Sequence, residues 1–131
     1  KRHGAEIVAT GRSDFPNQIN NSLVFPGVFR GALDSRTRKI NEPMIIEASM
    51  ELARFAEEKG INPDYIIPTM QEWEVFPRVA AAIASKAVEE GLARIRLSKE
   101  DFYIHAKEII GKNRELIEKL ISLGYIEDIK R

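Results

Sequence analysis

The sequence predicts an α/β protein. Two short apolar runs, residues 7–9 and 65–67, have the length and punctuation of buried strands. Segments with apolar residues at helical spacing alternate with them, the pattern of strands crossed by helices. With 131 residues and 44% hydrophobic content, the chain is long enough for one domain with a real core.

Composition narrows the function classes. Charged residues make up 31% of the chain and balance to a formal net charge of zero, which argues against a basic nucleic-acid face. No apolar run approaches the ~18 residues that span a bilayer. "KRHGAEIVATG" is basic but lacks the long apolar stretch of a signal peptide. Without cysteines there are no disulfides and no thiolate zinc sites. The expectation is a cytoplasmic protein with no nucleic-acid or membrane partner. The chain opens on Lys1 and enters a strand-like run at once, which reads as a piece of a longer chain; a processed product is the plainer alternative.

In chain order, Ile7, Val8 and Ala9 form the first expected strand, closed by Gly11. "GRSDFPNQ" then collects Gly, Ser, Asp, Pro and Asn in one loop. A helix is expected to begin between Asn17 and Asn20, because asparagine is a favoured N-cap. Pro26 either breaks that helix or sits at the start of a second one. Val28, Phe29, Ala32 and Leu33 give the next apolar face. Gly27 and Gly31 leave a notch on it where another backbone can come close. Asn41 with Pro43 starts a helix whose stripe is Met44, Ala48, Leu52 and Phe55, ended by Gly60. Tyr65, Ile66 and Ile67 are the second expected strand, limited by Pro68. Pro77 opens a helix with Val79, Ile83 and Ala87 on its core face, stopped by Gly91. Its many alanines suit close packing on a sheet.

The last third changes character. Ser98 reads as an N-cap with acids in the first turn. Phe102, Ala106, Ile109, Asn113, Leu116 and Leu120 then step by alternating fours and threes, close to a coiled-coil seam with a polar Asn113 on it. This is one long helix, or two with a joint at Gly111. It either packs on its own domain or serves as a docking or dimer arm.

Residue chemistry alone gives few site candidates. His3 and His105 are far apart in sequence, and no metal cluster is visible. Glu72 and Glu74 flank Trp73 as a conceivable carboxylate pair, although acids beside a helix start ordinarily complement its dipole. Arg12 is a lone cation in a loop. There is no Gly-x-Gly-x-x-Gly fingerprint and no serine or cysteine nucleophile motif. Asn20 and Asn21 remain. A carboxamide both donates and accepts without carrying charge, and free amides at a helix start add anion affinity. One asparagine suffices for a cap, so capping and ligand binding both stay open for the pair.

The opening blocks resemble the malic enzymes of bacteria and archaea. "IVATGRSDFPNQINN" at residues 7–21 and "FPGVFRGALDSR" at residues 25–36 match that family's signature almost word for word. "IIPTM" and "PRVAAAIASKAVEEGLAR" are similar to its next strand and helix. The resemblance covers residues 1 to about 96. It departs from the family at "TMQEWEVFP" and slightly at residues 35–39, and residues 97–131 have no counterpart in it.

The resemblance implies the closing part of a Rossmann-like, three-layer NAD(P)-binding domain at residues 1–96, incomplete in this chain, followed by a helical C-terminal extension at 97–131. It implies oxidation of malate with NAD or NADP and decarboxylation to pyruvate with a divalent metal, Mg or Mn, in a homo-oligomer, a dimer being expected. Asn21 is then the substrate-binding residue, with Gly11 and Asn20 beside the cofactor. The family's catalytic tyrosine and lysine, its metal ligands and its phosphate-binding glycines lie upstream of the matched blocks. The alternatives are a helical binding or assembly module that uses the last helix, and a Rossmann dehydrogenase for another hydroxy or amino acid, which the specificity of the asparagine block disfavours.

Overall fold

The computed structural model describes residues 3–128. A 3-10 turn, Asn21–Leu23, leads into four α-helices among the described residues: α1 (Phe25–Ser35), α2 (Glu42–Lys59), α3 (Val75–Glu89) and α4 (Lys99–Ser122). Helices α1, α2 and α4 all pack on α3, which lies at the centre.

The helix boundaries follow from their residues. The Asn20 side chain accepts a hydrogen bond from the Ser22 amide at 3.0 Å and caps the 3-10 turn. Pro26 sits in the first turn of α1, where its missing N–H costs nothing. Arg36, in the left-handed region at φ 46°, ends α1. The Asn41 carboxamide caps α2 through the Met44 amide at 3.3 Å, and Gly60 at φ 96° closes it. Ser98 caps α4 through the Asp101 amide at 3.0 Å, with Glu100 and Asp101 in the first turn. Helix α3 starts at Val75, ahead of Pro77. Helix α4 runs unbroken through Gly111, which settles the question of one helix or two.

The main core joins Leu23, Val28, Met44, Ala48, Phe55, Val79, Ile83 and Ala87. A second cluster sets Phe102 of α4 against Ala81 and Ala84 of α3. The expected stripes of α2 and α3 therefore face inward, although Leu52 is only partly covered. The expected face of α1 is corrected. Val28 is buried, but Phe29 and Leu33 point outward together with Phe25, and Phe25 and Phe29 stack at 5.7 Å between ring centroids. Helix α1 instead turns Gly27 and Gly31 toward α3. A β-carbon placed on Gly31 would lie 2.3 Å from the Ala80 carbonyl oxygen, so the notch read from the sequence is filled by the backbone of α3.

No strand forms among the described residues; Thr10–Gln18 and Asn62–Tyr65 are isolated bridges. Ile7 and Val8 are exposed rather than buried. A strand of this kind needs a neighbouring backbone for its N–H and C=O groups, and among the described residues none runs alongside. Among the described residues the alanines of α3 pack on helices. The seam of α4 is half used: Phe102 and Ala106 are buried, whereas Leu116 is exposed.

A charge network ties α2, α3 and α4 together. Glu51, only 4% exposed, accepts from Arg78 of α3 at 2.7 Å, from Lys99 of α4 at 3.2 Å and from Arg54 at 3.4 Å. Arg78 also makes a two-pronged pair with Glu58, at 2.5 and 2.8 Å, and lies over the Phe55 ring. Burial pushes the Glu51 carboxyl upward, but Arg78 and Lys99 outweigh it and hold the group below its ordinary value.

Candidate functional site

The site is built by two loops that face each other. The first runs from residue 8 to the 3-10 turn. Thr10 and Ile19 close its base, with the Ile19 amide donating to the Thr10 carbonyl at 2.8 Å. Pro16 precedes Asn17, which adopts φ 56°. Asparagine tolerates this left-handed conformation better than most residues. The Asn17 side chain is buried and does not cap a helix. Its Nδ2 donates to the Val8 carbonyl at 3.1 Å and to the Pro63 carbonyl at 2.8 Å, and its Oδ1 accepts from the Ile66 amide at 2.8 Å.

The second loop, residues 62–72, is organised by Glu72. Its carboxylate accepts from the Thr69 amide at 2.7 Å, from the Tyr65 hydroxyl at 2.9 Å and from the Thr69 hydroxyl at 3.1 Å. Lys59 stands 3.4 Å away. Burial pushes Glu72 upward, but these donors outweigh it and keep the group below its ordinary value. Burial and the bond to Glu72 push Tyr65 up to about 12, so its phenol stays a donor. Glu72 is thus occupied in holding a loop, and Glu74 is exposed at the start of α3. The two acids do not form a catalytic carboxylate pair.

Between the loops lies a cleft of about 680 Å³ whose lining includes Phe15, Gln18, Asn20, Ser22, Tyr65 and Met70. Its polar groups are mostly carboxamides and hydroxyls, and no lysine or arginine lines it. Asn20 borders this cleft while capping the 3-10 turn. Asn21 is exposed, does not line the cleft, and its carboxamide makes no hydrogen bond among the described residues. Gly11 is exposed at the loop's edge and accepts a long contact from Gln18 Nε2 at 3.4 Å. The sequence candidates therefore share one loop, but only Asn20 faces the cleft. Arg12 is paired with Asp14 at 2.6 Å and stacked over Phe15.

The sequence reading missed Asn17 and the wall formed by Tyr65, Thr69 and Glu72. A Pro-Asn pair inside a turn was the available signal for Asn17, since asparagine bonds its neighbourhood readily in turns. Elsewhere, His105 of α4 lies 3.3 Å from the buried Asp34 of α1, which also pairs with Arg30. Among the described residues no group of three or more His, Cys, Asp or Glu could hold a metal ion. No helix is long and apolar enough to cross a membrane among them.

Known proteins are similar to this chain. A family model described as "Malic enzyme, NAD binding domain" matches residues 5–114, and so runs past residue 96 into α4. The bifunctional malic/malolactic enzyme of Bacillus subtilis is 51% identical over 98 residues, which are 75% of this chain and 24% of that protein. The NAD-dependent malic enzyme of Geobacillus stearothermophilus is 50% identical over 88 residues, 67% of this chain and 18% of that protein. The chain thus spans about a quarter or less of the length of these relatives. The crystal structure of Entamoeba histolytica malic enzyme superposes with a TM-score of 0.95 at 48% identity, covering 98% of this chain and 27% of that one. That of the Pyrococcus horikoshii enzyme gives 0.84 at 44% identity, covering 91% and 27%. The kinship supports a Rossmann-like fold for the domain, of which the described residues supply helices and paired loops. On the family match and these relatives, the chain belongs to the malic enzyme NAD-binding domain family.

Proposed function

We propose that the chain works as part of a longer malic enzyme, which oxidises (S)-malate with NAD or NADP and releases pyruvate and CO₂. The carrying observation is the near-complete superposition on a malic enzyme at 48% identity. Relatives named NAD-dependent and NADP-dependent both match, and the choice between the two cofactors rests with residues elsewhere. The bound nucleotide supplies the hydride acceptor. This chain's contribution is to orient. Asn21, with a carboxamide unengaged among the described residues, holds a malate carboxylate so that C2 faces the nicotinamide, a gain in position rather than in chemistry. Asn20 and Gly11 border the cofactor, and the cleft beside Asn20, lined by carboxamides, hydroxyls and the Asp64 carboxylate with no lysine or arginine, suits its carboxamide end and not its phosphates. The divalent metal is held by residues outside this chain.

Residues 1–96 are assigned to the closing part of the Rossmann-like domain and 97–131 to a helical extension. Under this reading, residues 7–9 and 65–67 complete the sheet of a three-layer domain with strands from elsewhere in the protein, and the exposed Ile7, Val8, Phe25, Phe29 and Leu33 are covered there. The exposed half of α4 favours a second role as a dimer arm. A cooperative melt of the isolated chain does not separate enzyme piece from assembly module, because the helices around α3 form their own core.

Residues 1–131 alone, purified free of host enzyme, are expected to show no malate oxidation with NAD or NADP and Mn²⁺. A steady rate would overturn the assignment of proton transfer and metal binding to other segments. In the full-length protein, Asn21→Ala removes a hydrogen bond to a charged group, worth about 1.5–3 kcal/mol, so kcat/KM for malate should fall roughly 10- to 150-fold. Asn21→Asp sets like charges against each other and should be worse. Asn20→Ala should cost about 1 kcal/mol of stability as a lost cap, with less effect on malate. Wild-type kcat/KM for Asn21→Asp would leave Asn21 as a mere turn residue.

A further inference from the structure

We propose that Asn17 is a positioning residue, whose side chain sets where Asn20 and Asn21 stand relative to the 62–72 loop. This rests on the reading of Asn21 given above. Asn17 is 5% exposed, and its carboxamide uses both amide hydrogens and its oxygen. The three contacts reach Val8, Pro63 and Ile66, which are 9, 46 and 49 residues away in sequence. No strand ladder joins these segments among the described residues, so a single side chain does what a ladder does in a sheet. The backbone takes part as well, because the Thr10 amide donates to the Asn17 carbonyl at 3.3 Å.

Only two residues separate Asn17 from Asn20, and Ile19 is itself bonded to Thr10. A displacement at Asn17 therefore reaches the asparagine pair with little slack. Few other side chains can do this. Aspartate keeps the shape and the Ile66 bond but turns a buried charge on two carbonyl oxygens. Alanine loses all three bonds and strains the left-handed backbone. Glycine loses the bonds but accepts φ 56° freely, so it isolates the side chain's part.

The test is steady-state kinetics on the full-length enzyme with Asn17→Gly, Asn21→Ala and the double variant, with a melting curve for each. Asn17→Gly is expected to raise KM for malate about tenfold or more while kcat changes less. A role in folding alone would lower the active fraction, and kcat with it, and leave KM where it was. Because Asn17 acts through Asn21, the double variant should lose much less than the product of the two single losses. Asn17→Asp, which keeps the Ile66 contact, is the second variant should Asn17→Gly not fold, and the same split is expected of it. An unchanged KM in the folded variants, or fully multiplicative losses, would overturn the proposal while a damaged Asn21→Ala kept the substrate reading standing. A silent Asn21→Ala would remove the substrate reading and this proposal with it.

Discussion

Gly31→Ala is expected to destabilise the protein by about 3 kcal/mol or more, the upper end of what overpacking costs. A β-carbon there would meet the Ala80 carbonyl oxygen at 2.3 Å and the Ile83 β-carbon at 2.8 Å. The nearest obstacle is backbone, which cannot rotate aside, so α1 must lift off α3. Helix propensity works the other way, since alanine is favoured over glycine by about 1 kcal/mol, but it is the smaller term. Gly31→Val should be worse again. Gly111→Ala is the matched control: a β-carbon there meets nothing within 4 Å, so it should stabilise α4 by up to about 1 kcal/mol. Thermal melts decide the matter. A Gly31→Ala protein that melts with wild type would mean that α1 and α3 are not in contact at this notch.

Glu51→Ala should be the next most damaging. It leaves Arg78, Lys99 and Arg54 facing one another around a space that held their common anion. Breaking a buried pair from one side costs about 3–5 kcal/mol. The value here should be nearer 2–3 kcal/mol, because Arg78 keeps Glu58 and the outer cations can turn to water. Glu51→Gln keeps the shape and should cost less. The sign with pH follows from the lowered Glu51 carboxyl. The unfolded chain takes up this proton first as pH falls, so the contribution of the ionised group is complete above the ordinary carboxylate range and is lost as pH drops through the lowered folded value. Wild type and Glu51→Gln should therefore differ most near neutrality and converge in acid. A constant gap from pH 7 to pH 3 would mean that the charge of Glu51 plays no part.

The helices were legible where periodicity and caps agree. Asn41 with Pro43, Ser98 with its acids, and the Met44–Ala48–Phe55 stripe all stand as read, because local hydrogen bonds and one buried face decide them. The Gly27–Gly31 notch was legible because little but a close backbone asks for two glycines one helical turn apart. What failed depended on the neighbour. Ile7 and Ile66 look like buried strand residues, yet a strand is a property of a pair, and the partner backbone is not among the described residues. Phe29 and Leu33 read as part of one apolar face with Val28 and Ala32 from their helical spacing, while α3 selects the small-residue face of α1, with Gly27 and Gly31, for its close approach. At the site, the Asn20–Asn21 pair was legible as a turn with one residue to spare. The staple at Asn17 was not, since its partners Pro63 and Ile66 are remote in sequence and joined to it only by the fold.

The notch has a mechanical consequence for the cleft. Asn20 and Asn21 stand one 3-10 turn before α1, and Leu23 of that turn is in the main core. Since α1 meets α3 backbone to backbone, this jaw of the cleft moves as one beam with α3. The opposite jaw also grows from α3, because Glu72 leads within one turn into its first residue, with the Val75 amide bonded to the Glu72 carbonyl at 3.1 Å. Both jaws are therefore cantilevered from one helix. A shift of α3 carries them together, and the gap between them changes only if the loops at residues 8–20 or 62–71 flex on their own.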